Sequence, residues 1–253
     1  MDMKKINTQL SLLVVLMTFT SVLSAQRYTS QIFTDVSVQR NVVYGRNISV
    51  LTGTPAAIDL LMDVYTPVGD TETNRPVVIY LHTGSFLPPI INGQVTGSRS
   101  DSSVVEICRR LARMGYVAIA ATYRLGWNPV ATGPAGQNTR TGTLLNAVYR
   151  GIQDVRTAIR FLRKSVAENN DPYGIDPDKI VVWGQGTGGY ISLAAAYLDR
   201  YQEIVLDKFI NTETLQPYVL EAVSGDVYGL TQAPLNIPNH VGYSSAFNMA
   251  INM

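Results

Sequence analysis

The residues with most chemical potential stand in one short run, Gly184-Gln185-Gly186-Thr187-Gly188-Gly189, between the apolar stretch Lys179 to Trp183 and a segment rich in Leu and Ala. Glycines between a strand and a helix permit a tight turn, and the backbone N–H groups at the helix start then face an anion or a developing negative charge. Gly184-x-Gly186-x-x-Gly189 satisfies the dinucleotide-binding fingerprint, with Asp207 at about the spacing of a ribose-binding acid. A Walker-type phosphate loop is excluded, because no lysine follows the glycines. Groups able to move a proton near pH 7 are scarce, since the only histidines are His82 and His240. The single cysteine, Cys108, rules out an internal disulfide and any two-cysteine metal site.

Three segments upstream complete a pattern. His82-Thr83-Gly84-Ser85-Phe86 follows a buried-strand run, and Ala121-Thr122-Tyr123-Arg124-Leu125 follows another. Asp154 to Leu162, then Tyr173-Gly174-Ile175-Asp176-Pro177-Asp178-Lys179-Ile180, leads into the glycine turn. In this order they resemble the carboxylesterases and hormone-sensitive-lipase relatives of the α/β-hydrolase fold, and most nearly the bacterial feruloyl-esterase-like ones, over residues 55 to 225.

The resemblance implies hydrolysis of a small carboxylic ester through a serine acyl-enzyme, with no cofactor and no metal. The first segment stands where that family has an oxyanion loop, usually His-Gly-Gly and a small residue. Its donors would be the backbone N–H groups of Gly84, Ser85 and Thr187, with His82 supporting the loop. The turn stands where the family has Gly-x-Ser-x-Gly, and at the nucleophile position is Gly186, which has no oxygen with which to form an acyl-enzyme. Thr187 is a substitute only if the pentapeptide shifts by one, which places Gln185 where close packing favours glycine.

In that family the acid follows the next-to-last core strand and the histidine the last, both much further beyond the turn than the residues available here. His240, in Asn236-Ile237-Pro238-Asn239-His240, reads as a surface or loop-packing histidine, and Asp226 follows a predicted strand Tyr218 to Val223 that resembles the one before the acid strand. Ala250 to Met253 looks like part of a helix without a cap, so residues 26–253 read as a hydrolase domain cut short before its last strands. Two rivals to an ester hydrolase follow. One is a non-catalytic exported binder using an esterase-like pocket. The other is the dinucleotide binder, which context opposes, because a βαβ unit of that kind normally opens its domain.

These residues need a scaffold, and the periodicity predicts one. Ile32 to Val38, Asn41 to Tyr44 and Leu61 to Tyr65 alternate as half-buried strands, whereas Pro76 to Leu81 and Tyr116 to Ala121 are continuous apolar runs suited to strands covered on both faces. A helix opening on Ser103 and Glu106 at capping-box spacing puts Val104, Val105, Cys108, Leu111 and Ala112 on one face and stops at Gly115. A second carries Val155, Ala158, Ile159, Leu162 and Val166, and the helix after the glycine turn runs to about Arg200. Phe86 to Ser100 and Gly126 to Thr143 read as connecting stretches that frame a pocket mouth. Strands alternating with helices predict an α/β fold, a three-layer and mostly parallel α/β-hydrolase sheet.

With 46% hydrophobic and 15% charged residues and a formal charge of +1, the 253-residue chain carries no footprint for nucleic acid or an anionic membrane. Met1-Asp2-Met3-Lys4-Lys5, the apolar run Leu10 to Phe19, and Ser24-Ala25-Gln26 have the order of a secretory signal peptide, residues 1–25, cleaved after Ala25. The apolar run is short for a membrane span, so an exported chain without a span, periplasmic or extracellular, is expected.

Overall fold

The computed structural model describes residues 26–88, 91 and 97–253; the predicted signal segment 1–25 lies outside them. Six strands form one mixed sheet in the order β1-β2-β4-β3-β5-β6. The edge is a long antiparallel pair, β1 (Val36–Ser49) with β2 (Ala56–Pro67), and β2 pairs antiparallel with β4 (Val117–Ala121). The rest is parallel: β4 with β3 (Arg75–Leu81), β3 with β5 (Ile175–Gly184), and β5 with β6 (Met249–Asn252).

The continuous apolar runs are the central strands because both of their faces are covered. On one face Val77, Ile79, Leu81, Val117 and Ile119 pack with Ile152, Val155, Ile159 and Ile191. On the other, Tyr80, Ala118 and Ala120 meet Val104, Cys108 and Ala112. The first set of helical residues belongs to α2 (Gly133–Glu168) and α3 (Thr187–Tyr197), the second to α1 (Ser102–Arg113). The predicted three-layer α/β sheet is therefore present, and Cys108 packs inside a helix.

Local details differ from the sequence expectations. The Ser103–Glu106 capping box does not form: Asp101 is the N-cap, its carboxylate accepting N–H bonds from Gly97 (2.7 Å) and Ser98 (3.1 Å), while Glu106 pairs with Arg110 (2.7 Å). The predicted connection Gly126 to Thr143 is largely helical, because α2 runs for 36 residues from Gly133. Pro134 suits its first turn, and the Thr139 and Thr143 hydroxyls bond back to the carbonyls of Ala135 (3.2 Å) and Thr139 (2.8 Å), so polar residues that weaken the helical pattern are satisfied within it.

The predicted strand Tyr218 to Val223 is absent; Glu221–Ser224 is a short helix, α4. The end of the chain is corrected in the opposite sense, since Met249–Asn252, expected to be helical, is strand β6. Between α3 and β6 the backbone is mostly irregular, and buried side chains of α2 satisfy its carbonyls. Arg156 donates to the carbonyls of Val227 (2.9 Å) and Leu198 (2.6 Å), as well as to Ala195 in the last turn of α3 (3.1 Å), and Arg160 to those of Tyr228 (2.8 Å) and Asn239 (3.0 Å). Four residues of β6 suffice to pin the end because the irregular segment before them is clamped in this way.

Candidate functional site

The C-terminal ends of β3 and β5 lie side by side, with Leu81 opposite Gly184, so the segment after each enters the same region above the sheet. His82 follows β3 and Gln185 follows β5; the N–H of Gln185 donates to Leu81 O (3.1 Å). The turn then places Gly186 at φ 54°, ψ −116°, a backbone conformation that costs a side-chain-bearing residue about 1–3 kcal/mol. Helix α3 begins at once with Thr187. The flanking glycines are sterically required: a β-carbon on Gly184 would collide with the backbone of Gly188, and one on Gly188 with the carbonyl of Leu81. Beyond the turn, Met253 is tied in by Gly186 N–H to Met253 O (2.8 Å) and Met253 N–H to Gly184 O (3.0 Å).

Facing the turn is the loop Gly84-Ser85-Phe86, in which all three residues have positive φ (124°, 57° and 55°) and the N–H of Leu87 closes back on Gly84 O (3.0 Å). His82 is almost wholly buried (2% exposed) and stacks on Tyr123, with ring centroids 4.4 Å apart. Its Nδ1 lies 2.5 Å from Thr83 O; since a carbonyl can only accept, Nδ1 carries the proton. Burial holds the imidazole below its usual pKa, so it is neutral and acts as a packed support. The hydroxyl of Tyr123 ties loop and helix together, donating to His82 O (2.8 Å) and lying 3.1 Å from Thr187 Oγ1.

The structure thus brings His82, Gly84, Ser85, Gly186 and Thr187 to one place. Among the described residues it does not bring a base there. His240 lies in the irregular segment, donating Nε2–H to Tyr44 O (2.8 Å) and packing edge-on against Phe161. Asp226 is occupied by the N–H groups of Leu230 (2.7 Å) and Thr231 (2.6 Å). Asp207 opens the 3-10 turn Asp207–Phe209 and is solvent-exposed, and the segment before it, Tyr201–Ile204, is also 3-10. The strand that would carry a ribose-binding acid is therefore missing. A cavity of about 600 Å³ lies elsewhere, between the end of α3 and residues 243–250.

Thr83 belongs to the same place, although its type and position alone do not show what it does there. An ideal β-carbon on Gly186 would overlap Thr83 Oγ1 and stand 3.1 Å from Thr83 Cβ. The side chain of Thr83 therefore fills the space into which a side chain at position 186 would project. The signal was present as a threonine directly after His82, where the resembled family has glycine, but its meaning requires the distance across the sheet.

A mixed, mostly parallel six-stranded sheet between helical layers, with a glycine turn joining β5 to α3, is the architecture of the α/β-hydrolase class. The BD-FAE family pattern matches residues 62–239, well over half of the chain, and the chain belongs to that family. It is similar to secreted lipase 5 of Gibberella zeae (26% identity, 68% of this chain and 26% of the relative). It is also similar to the para-nitrobenzyl esterase of Bacillus subtilis (26% identity, 54% of this chain and 24% of the relative). Among solved structures, esterase 2 of Thermogutta terrifontis superposes with a TM-score of 0.40 at 24% identity, covering 63% of this chain and 46% of that one. The chain spans about a quarter of the length of the curated relatives it matches. Among the described residues no helix is long and apolar enough to cross a membrane, and no cluster of three or more His, Cys, Asp or Glu could hold a metal.

Proposed function

We propose that this chain is an exported esterase-family protein that binds a small carboxylic ester, or a molecule of that shape, without cleaving it at the β5–α3 turn. One observation carries the reading: Gly186 has the tight strand-to-helix conformation of a nucleophile turn, yet it bears no side chain, and Thr83 fills the space beside it. The backbone N–H groups of Gly84, Ser85 and Thr187 serve as oxyanion donors, and His82 and Tyr123 hold the loop that carries the first two. Without an oxygen at position 186 no covalent intermediate forms there. Thr187 does not replace it, because its hydroxyl is engaged with Tyr123 in the first turn of α3.

The test is hydrolysis of short p-nitrophenyl esters by the purified chain. The expected rate is that of a blank with carrier protein, with an upper limit of about 10³ over water from the oxyanion donors alone. Saturable turnover that disappears in Thr187→Ala would make Thr187 the nucleophile. Turnover that survives Thr187→Ala would place the chemistry elsewhere and overturn the reading.

A further inference from the structure

Among the described residues Arg150 is a buried cation with no carboxylate in ion-pair contact. Its side chain is 2% exposed, and its Nε is buried with no hydrogen-bond acceptor. Among the described residues the guanidinium has one acceptor, the carbonyl of Leu125, at 3.3 Å from NH2. The nearby carboxylate, Asp154, is taken up by Arg124, which holds it through Nε (2.8 Å) and its own backbone N–H (2.7 Å). Arg124, Arg150 and Asp154 together therefore leave one uncompensated positive charge in the interior. Burial pushes Arg150 down to about 10, which still leaves it protonated at neutral pH. A buried charge normally has a partner, because desolvation costs several kcal/mol.

Arg150 lines a cavity of about 270 Å³. Its other walls include Val50, Tyr218, Leu220, Val223 and Leu235, which are apolar or aromatic. Gly126, also on the wall at φ 136°, keeps the approach open, since a β-carbon there would stand 2.7 Å from Arg150 NH2. The neighbouring polar side chain Asn146 is spent on the carbonyls of Gly142 (2.9 Å) and Tyr218 (2.8 Å) and does not compete for an anion.

We propose that this cavity is a binding site for a small organic carboxylate, the carboxylate on the Arg150 guanidinium and an apolar body against Val50, Leu220, Val223 and Leu235. A guanidinium with an unpaired donor on a cavity wall matches the chemistry of a carboxylate, and the apolar walls select an anion with a hydrocarbon body over inorganic phosphate. The inference is independent of the ester-binding reading, because none of these residues belongs to the β5–α3 turn or the loop after β3.

Calorimetric titration of the chain with benzoate tests it, with benzamide and inorganic phosphate as controls. Saturable one-to-one binding of benzoate is expected, with both controls about tenfold weaker or worse. Arg150→Gln should weaken benzoate about tenfold or more, with Arg150→Lys between the two. Val223→Trp, which fills the cavity with an indole and leaves Arg150 in place, should weaken it as well; this variant decides the matter if Arg150→Gln does not fold. No saturable benzoate binding, or binding unchanged in both Arg150→Gln and Val223→Trp, would overturn the proposal. Phosphate binding as tight as benzoate would overturn the apolar half of it.

Discussion

The side chain of Thr83 occupies the volume that a β-carbon on Gly186 would need, with Thr83 Cβ 3.1 Å from that position. The two residues lie about 100 positions apart and meet because β3 and β5 are parallel neighbours. A residue at 186 and the residue after His82 are therefore coupled, and a side chain added at 186 clashes unless residue 83 is made smaller.

Gly186→Ser alone is expected to lower stability by about 1–3 kcal/mol, from the positive φ and the overlap with Thr83. Adding Thr83→Gly should return part of that loss. Urea unfolding of both single variants and the double variant gives the coupling, expected at about 0.5 kcal/mol or more. Strict additivity would show that the overlap relaxes without cost. Neither the single nor the double variant is expected to hydrolyse p-nitrophenyl esters, because no base stands at the turn among the described residues.

Tyr123→Phe removes the hydroxyl that joins His82 O to Thr187 Oγ1. The ring still stacks on His82, so the loss is that of buried hydrogen bonds, about 1–2 kcal/mol in equilibrium unfolding. A change below about 0.3 kcal/mol would mean that the bridge contributes nothing net to holding the loop.

Asp154→Asn should be among the most damaging substitutions in the chain. Arg124 and Asp154 are both fully buried and bound to each other, and Arg150 adds a second positive charge nearby. Neutralising the one carboxylate leaves two buried cations, a loss of about 3–5 kcal/mol. Soluble yield and melting temperature report it directly; a melting temperature within a degree or two of the parent, about 0.5 kcal/mol in a domain of this size, would contradict the pairing.

Stability should fall as the solution is acidified from neutrality through the ordinary histidine range, about 6.5. His82 and His240 are both held below that value, chiefly by burial. In that window the unfolded chain binds protons that the folded chain refuses, so acid favours unfolding and the stability is regained as pH rises. Thermal melts between about pH 5.5 and 7.5 should show the slope, and His240→Gln should reduce it. A melting temperature independent of pH across this window would be incompatible with both histidines being held neutral.

How much was legible beforehand follows from the range of each interaction. The runs Pro76 to Leu81 and Tyr116 to Ala121 are recognisable as central strands because double-sided burial imposes apolar residues without a gap. The glycine turn is recognisable because close backbone approach imposes Gly184 and Gly188 at fixed spacing. Those constraints are local, and they were enough for the layer architecture and for the position of the glycine turn.

Other features were decided only in three dimensions. Met249–Asn252 is a strand because β5 offers it a parallel partner, which four residues cannot announce alone. Gly133 to Thr143 is helical although polar, because its hydroxyls find carbonyls within the same turn. Tyr218 to Val223, apolar enough to suggest a strand, has no sheet partner and packs against α2. The pairing of Thr83 with Gly186, and the solitude of Arg150 beside the Arg124–Asp154 pair, depend on contacts between residues far apart in the chain. The sequence by itself determined which segments are buried and where the backbone turns tightly, since those follow from residue type and spacing. The tertiary structure decided which side chains share a volume and which charges are left unpaired, since those depend on distances that spacing does not encode.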